Sequence, residues 1–170
     1  MTERQVIEDL LEELYAARVR GDLDAVARLF APNTTFQVAG TDDASPMPTF
    51  VKGNAGIMSL MQGMIANFEV NDFTIVEMLI DGPSAAVRWQ ATFHYTKTGR
   101  MFTTELADFI TVGNGQVVSF IEFLDTALAA YLLDPARRSY DLSDMAAQRG
   151  LAAGAEPEKA EGDGQLELGE

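Results

Sequence analysis

The sequence contains no cysteine, and His94 is the one histidine among its 170 residues. Disulfide bonds and thiolate metal sites are therefore excluded, and one chain cannot build a metal site from several histidines. No apolar run approaches the roughly 20 residues that a membrane-spanning helix needs. The N-terminal residues MTERQVIEDL also lack the basic and apolar regions of a signal peptide. We therefore expect a cytoplasmic protein that uses no metal or organic cofactor.

Basic residues are scarce, with 12 Lys and Arg against 26 Asp and Glu, which gives a net charge of −14. This charge argues against nucleic acid and anionic membranes as partners. Part of this excess of acidic residues lies at the end of the given sequence, because residues 141–170 carry eight acidic and two basic side chains. We expect one globular domain over residues 1–133, a connecting segment over 134–140, and a disordered acidic tail over 141–170. A tail that binds a partner is the alternative.

Helical period dominates the first part of the chain. Thr2 and Gln5 have the spacing of a capping box, and helical period follows as far as Gly21. Asp22 begins a second helix, which Pro32 closes. A third helix is predicted from apolar residues at helical spacing, namely Ile57, Leu60, Met61, Met64, Ile65 and Phe68.

The period changes to two further along the chain, which predicts strands. A short strand, TTFQV, precedes the third helix, and four more follow it: FTIVEMLI, AAVRWQATFHY, RMFTTELADFITV and QVVSFIEF. The turns DGPS, TKTG and GNGQ join these four strands into an antiparallel meander, and TALAAYLL is predicted as a last helix. The order of elements indicates an α+β fold.

The two last hairpins give a predicted register. Pairing Val112 with Val117 across GNGQ places Ala107 opposite Glu122, and pairing Tyr95 with Arg100 across TKTG places Arg88 opposite Ala107. One face of the sheet would then line a cavity; it comprises Arg88, Gln90, Thr92, Glu105, Ala107, Phe109, Val118, Phe120, Glu122 and Leu124. The other face would form a homodimer interface; it comprises Val87, Trp89, Ala91, Phe93, Leu106, Asp108, Ile110, Ile121 and Phe123.

Glu122 is out of place in an apolar strand, because an ionised carboxylate there is costly unless it is paired or solvated. We expect Arg88 to reach it across Ala107. Glu122 would act as a general acid or base and Arg88 would stabilise developing negative charge; an inert ion pair is the alternative. The predicted catalytic residues are Glu122 and Arg88, and the predicted ligand-binding residues are Tyr15, Gln90, Glu105, Ala107, Phe109 and Phe120.

Two segments, LYAARVRGDLDAVARLFAPNTTF and GRMFTTELADFITVGNGQVVSFIEFLDTA, resemble the SnoaL-like branch of the nuclear-transport-factor-2-like superfamily. This superfamily includes ketosteroid isomerase and limonene epoxide hydrolase, and the resemblance spans residues 3–133. It implies a curved antiparallel sheet that N-terminal helices wrap into a cone with an internal pocket, a cystatin-like roll that is commonly a homodimer.

The resemblance also implies roles for individual residues. Tyr15 matches the helix tyrosine of ketosteroid isomerase, but the position of its general base is Val38 here, and its protonated aspartate falls at or beside Ala107. Glu122 matches the acid/base aspartate of SnoaL-type polyketide cyclases and limonene epoxide hydrolase, whereas Gln90 replaces the acidic residue of the Arg-x-Asp pair of the hydrolase. Both standard mechanisms are therefore disfavoured.

The expected function is binding of a small, mainly apolar, oxygen-bearing molecule, with acid/base chemistry of isomerase, cyclase or hydrolase type. The alternative is a non-catalytic ligand-binding or dimerisation module, because a fold does not determine a function.

Overall fold

The computed structural model describes residues 2–40 and 50–133, which belong to one compact unit. The predicted connecting segment 134–140 and acidic tail 141–170 lie outside the described residues. None of the helices in the described ranges is long and apolar enough to cross a membrane.

Four helices and six strands make up the described fold. The helices are α1 (Glu3–Arg20), α2 (Leu23–Leu29), α3 (Asn54–Asn67) and α4 (Thr126–Leu133). The strands are β1 (Phe30–Val38), β2 (Phe50–Lys52), β3 (Phe68–Asp81), β4 (Ser84–Tyr95), β5 (Arg100–Gly113) and β6 (Gln116–Phe123). They form one sheet in the order β2-β1-β6-β5-β4-β3, in which β1 and β6 are parallel and the other neighbours are antiparallel. The predicted α+β class, with a curved sheet and N-terminal helices, is confirmed.

The ends of α1 follow the sequence signals. The Thr2 side chain accepts a hydrogen bond from the backbone N–H of Gln5, and Gly21 ends the helix with a left-handed φ of 70°. The Gln5 side chain donates to Asp9 rather than back to the cap, so half of the predicted capping box forms. An added Cβ at Gly21 would lie 3.2 Å from Ile65 in α3, so this turn also needs a small residue.

Two predicted helix ends differ from the structure. Helix α2 ends at Leu29, and Pro32 lies inside β1. Helix α3 ends at Asn67, so Phe68 begins β3 instead of belonging to the helix. The Phe68 ring stacks on Tyr95 of β4 with ring centroids 4.9 Å apart, and this contact across the strands favours the extended conformation.

The helices cover one face of the sheet, called here the inner face, and the other is the outer face. The largest fully buried side chains come from the helices and from the inner face: Tyr15, Phe30, Phe36, Phe120, Leu11, Leu14, Ile57, Met61, Ile110, Glu122, Val26 and Val87. Glu122 is the charged member of this apolar set.

The register between β5 and β6 contains a β-bulge that the sequence analysis did not predict. The pairs Val112–Val117 in this hairpin and Tyr95–Arg100 in the preceding one form as predicted. However, the next pair in the β5–β6 hairpin is Thr111–Ser119, which leaves Val118 as an extra residue in β6. Asp108, not Ala107, therefore lies opposite Glu122.

This bulge explains why the predicted faces are wrong for β4 and β5. A shift by one residue moves a side chain to the other face of a sheet. The residues Val87, Trp89, Ala91, Leu106, Asp108 and Ile110, predicted to form the homodimer interface, are buried on the inner face. The outer face instead carries Arg88, Gln90, Glu105, Ala107 and Phe109, which were predicted to line the cavity with Glu122.

Candidate functional site

A cavity of about 120 Å³ lies between α1, α3, α4 and the inner face of β3, β4, β5 and β6. Its wall is mainly apolar, with five aromatic residues from the sheet: Phe68, Phe73, Trp89, Phe93 and Phe102. Met61 and Met64 of α3 line another side. Ligand pockets typically combine such an apolar wall with a few polar groups at defined positions.

Glu122 is one of the polar groups at the cavity, and none of its side chain is exposed to solvent. Its Oε2 atom accepts a hydrogen bond from Nη2 of Arg18 at 3.0 Å. Its Oε1 atom is also buried and has no hydrogen-bond partner among the described residues. The carboxyl group is thus held at one oxygen and free to interact at the other.

Arg18 brings the positive charge of the site from α1. It lies three residues after Tyr15, so both side chains project from the same face of the helix. Its guanidinium carbon lies 5.6 Å from the ring centroid of Trp89 and 5.8 Å from that of Phe120. Burial alone would lower the pKa of Arg18, but the adjacent carboxyl groups of Glu122 and Asp108 raise it above its usual value. Arg18 therefore stays cationic, with a second nitrogen, Nη1, buried and without a partner among the described residues.

Asp108 is the second buried acid. Its Oδ2 atom accepts hydrogen bonds from the Tyr15 hydroxyl at 2.6 Å and from the Trp89 indole N–H at 2.7 Å. Burial, and then the negative charge of Glu122, raise the pKa of Asp108 to about 8, although Arg18 and the two hydrogen bonds oppose this change. Tyr15, Trp89 and Glu122 line the cavity, and Asp108 lies behind them.

Tyr15 is held from several sides. Its ring centroid lies 5.5 Å from that of Phe73 and 5.7 Å from that of Trp89. Burial and the neighbouring Asp108 raise the pKa of Tyr15 above its usual value, so the hydroxyl keeps its proton and donates it in a hydrogen bond to Asp108. Tyr15 lines the cavity, while its hydroxyl is engaged by the protein itself.

The predicted contact between Arg88 and Glu122 is wrong. Arg88 is half-exposed on the outer face, where it contacts Glu105 at 3.3 Å and Glu77 at 3.8 Å. Gln90, Glu105, Ala107 and Phe109 share that outer face and do not line the cavity, for the same reason of register. Phe120 is buried on the inner face and stacks on Phe36, with centroids 5.0 Å apart, and does not line the cavity.

Arg18 and Asp108 are the two buried charged residues of the site that the sequence analysis missed, although both leave a signal. Arg18 lies three residues after Tyr15 and seven residues after Leu11, so it continues the buried row of α1. Asp108 stands between Leu106 and Ile110 in a period-two apolar pattern. In each case one charged residue occupies a position that the pattern assigns to the core. Within the described ranges, no three His, Cys, Asp or Glu side chains come close enough to hold a metal ion.

Comparison with known proteins gives the family. The model of the SnoaL-like domain matches residues 11–120, so the chain belongs to the SnoaL-like family. The match ends before Glu122, so it does not bear on the role of this residue. No curated protein matches the chain in sequence.

Solved structures share the fold at low sequence identity. A candidate isomerase from Bacillus subtilis is 16% identical and superposes with a TM-score of 0.70, covering 79% of this chain and 98% of its own. An NTF2-like protein from Burkholderia xenovorans is 22% identical with a TM-score of 0.63, covering 76% and 97%. A candidate SnoaL-like polyketide cyclase from Mesorhizobium loti is 21% identical with a TM-score of 0.58, covering 72% and 98%. These similarities show that the chain shares the fold of these structures.

Proposed function

We propose that this protein binds a small, mainly apolar, oxygen-bearing molecule in the cavity and moves a proton on it without a cofactor. The observation that carries the proposal is Glu122, a fully buried carboxyl group at an aromatic-lined cavity. One of its oxygens is held by Arg18, and the other has no partner among the residues that the structure describes. A buried ion pair adds little to the stability of a fold, because the cost of removing both charged groups from water offsets most of the attraction between them. Buried titratable groups in a cleft are typical of functional sites.

The chemistry that this arrangement supports is proton transfer next to a carbonyl group. Glu122 takes a proton from the carbon beside the carbonyl, and the electron pair of the broken C–H bond forms a C=C bond while the carbonyl oxygen becomes an enolate. The cationic Arg18 stabilises this oxygen through its free Nη1 donor. Return of the proton to the same or another carbon restores a neutral ketone and the Glu122 carboxylate. An isomerase or a cyclase that forms an enolate can use this step.

The cavity wall favours a ring compound as the ligand. Aromatic side chains stack on flat, apolar surfaces, and methionines adapt to irregular ones. Arg18 and Glu122 contact each other at the cavity, so a ligand with one oxygen can place it at this pair while its rings contact the apolar wall.

The proposal is tested with 2-tetralone, a bicyclic ketone whose protons beside the carbonyl exchange with solvent. We expect the protein to accelerate hydrogen–deuterium exchange at these carbons in D₂O, measured by proton NMR. Glu122→Gln should remove the acceleration while 2-tetralone still binds, because glutamine keeps the shape and cannot take the proton. Glu105→Gln is the matched control, since it removes a carboxylate from the outer face, and it should exchange like the unaltered protein.

The alternative, a non-catalytic ligand-binding module, predicts a different result. In that case 2-tetralone binds but its exchange rate equals that of buffer, and Glu122→Gln changes only stability. Exchange that persists unchanged in Glu122→Gln would contradict the catalytic proposal.

We also propose a homodimer through the outer face, with a second copy of the chain as the partner. Large apolar side chains are exposed there on β2, β3, β5 and β6, among them Phe50, Leu79, Phe109 and Phe123, each about half exposed or more. On the same face Arg88 lies between Glu77 and Glu105, so charges of both signs are present for a two-fold contact with an identical surface. Phe109→Asp should shift the protein from dimer to monomer in analytical ultracentrifugation. A monomeric unaltered protein would contradict this proposal.

A further inference from the structure

Asp108 and Glu122 lie directly opposite each other on neighbouring strands. Side chains at opposed positions have Cβ atoms about 5 Å apart, so the two carboxyl groups are close. Each has one oxygen with partners, Oδ2 of Asp108 and Oε2 of Glu122. Each also has one buried oxygen, Oδ1 and Oε1, without a hydrogen-bond partner among the described residues.

The groups that face this pair supply one positive charge. Arg18 and Tyr15 approach from α1, Trp89 from β4, and the apolar Val38 is next to Glu122 in β1. Tyr15 and Trp89 are uncharged donors, so Arg18 is the one cation that contacts the pair within the described residues. Two ionised carboxylates would therefore leave an uncompensated buried negative charge, which is strongly unfavourable.

We propose that Asp108 and Glu122 hold one proton between them, resting on Oδ1 of Asp108 and directed at Oε1 of Glu122. Oδ2 of Asp108 already accepts two hydrogen bonds, so Oδ1 is the oxygen available to carry the proton. One proton gives both orphan oxygens a partner, directly or through one water molecule, and makes the cluster with Arg18 neutral. The pKa of Asp108, raised to about 8, agrees with this arrangement.

This inference rests on the proposed function and assigns Asp108 a part in it. Asp108 does not line the cavity, so it is a positioning residue that acts through its neighbours. As the proton holder it leaves Glu122 ionised and ready to accept a proton from the ligand. Because the resting cluster is neutral, it also favours an uncharged ligand over a carboxylate.

Infrared spectroscopy tests the proposal without any ligand. The carbonyl stretch of a protonated carboxyl group is absent from carboxylates, and at pH 6.5 exposed acids are ionised because their pKa is near 4. We expect the unaltered protein to show this band at pH 6.5 and to lose it by pH 9.5. Asp108→Asn should lack the band, and its amide can still accept the hydrogen bonds of Tyr15 and Trp89, which protects the fold. Glu105→Gln is the control and should keep the band.

A second variant gives an independent readout. Glu122→Gln removes the neighbouring negative charge, so the band of Asp108 should disappear at a lower pH than in the unaltered protein. A band that persists in Asp108→Asn, or that titrates at the same pH in Glu122→Gln, overturns the shared proton. Absence of the band from the unaltered protein at pH 6.5 overturns it as well. The exchange of 2-tetralone is measured separately, so loss of this proposal and loss of the proposed function are distinguishable.

Discussion

Replacing Arg18 by methionine removes the cation that contacts Glu122 and leaves an unbranched apolar side chain in place of the arginine stem. The two charged groups are 3.0 Å apart, and Glu122 has no solvent exposure, so water cannot replace the lost partner. Two unit charges about 4 Å apart attract each other by about 4 kcal/mol at an effective dielectric constant near 20. Removal of one partner from a buried pair typically costs about 3 to 5 kcal/mol. We expect a loss of this size for Arg18→Met.

The double variant Arg18→Met with Glu122→Gln should recover most of that loss, because no unpaired charge stays buried. The free energy of unfolding is measured by urea titration for the unaltered protein, both single variants and the double variant. The cycle should give a coupling of about 2 kcal/mol or more, as expected for residues in direct contact. Arg20→Met is the matched control, since Arg20 pairs with Glu13 on the exposed side of α1 and should cost less than about 1 kcal/mol.

The result that refutes this reasoning is additivity. If the losses of the two single variants simply add, the ion pair does not carry the energy assigned to it, and Glu122 must be stabilised in another way. A loss below about 1 kcal/mol for Arg18→Met would refute it as well, since that is the value of an exposed pair.

Three further predictions concern pH, the cavity and a turn. Because the pKa of Asp108 in the folded protein, about 8, lies above its ordinary value of 3.8, the folded state binds an extra proton between these pH values. The unfolding free energy should therefore fall by up to about 1.4 kcal/mol per pH unit from pH 5 to 7 relative to Asp108→Asn, and parallel urea curves would contradict this. Ala129→Phe enlarges a side chain of α4 at the cavity and should weaken 2-tetralone binding about tenfold in NMR titration. Unchanged affinity would show that the ligand binds elsewhere. Gly21→Ala should cost about 1 kcal/mol in thermal unfolding, because φ is 70° and the new Cβ meets Ile65; no change would mean that α3 adjusts.

Much of the fold could be predicted from local signals. Thr2 and Gly21 mark the ends of α1, and the turns TKTG and GNGQ fix the first pairs of two hairpins. These features depend on a few neighbouring residues, so a single sequence contains them. The end of α3 is different, because Phe68 is placed by its contact with Tyr95, which is distant in the chain.

The site was harder to predict than the fold. Glu122 and Tyr15 both line the cavity, and both leave a signal in the sequence: a carboxylate in an apolar strand and a tyrosine in an apolar helix row. The predicted partner of Glu122 is wrong, because counting residues from the GNGQ turn assumes a regular ladder of pairs, and the bulge at Val118 interrupts that ladder. A regular ladder therefore predicts Arg88 as the partner. The observed partner, Arg18, lies in a helix, and a strand register does not give the position of a helix residue.

The extra residue at Val118 has a consequence for how such proteins change during evolution. Without it, the alternation from the turn would send Glu122 outward, beside Ala107 and towards Arg88, and would send Ile121 and Phe123 inward. Loss or gain of a single codon in this hairpin can thus remove the Glu122 carboxyl group from the cavity, although the gene still encodes this residue. Relatives that have the same site residues but a different number of residues in this hairpin should not be assumed to share a reaction.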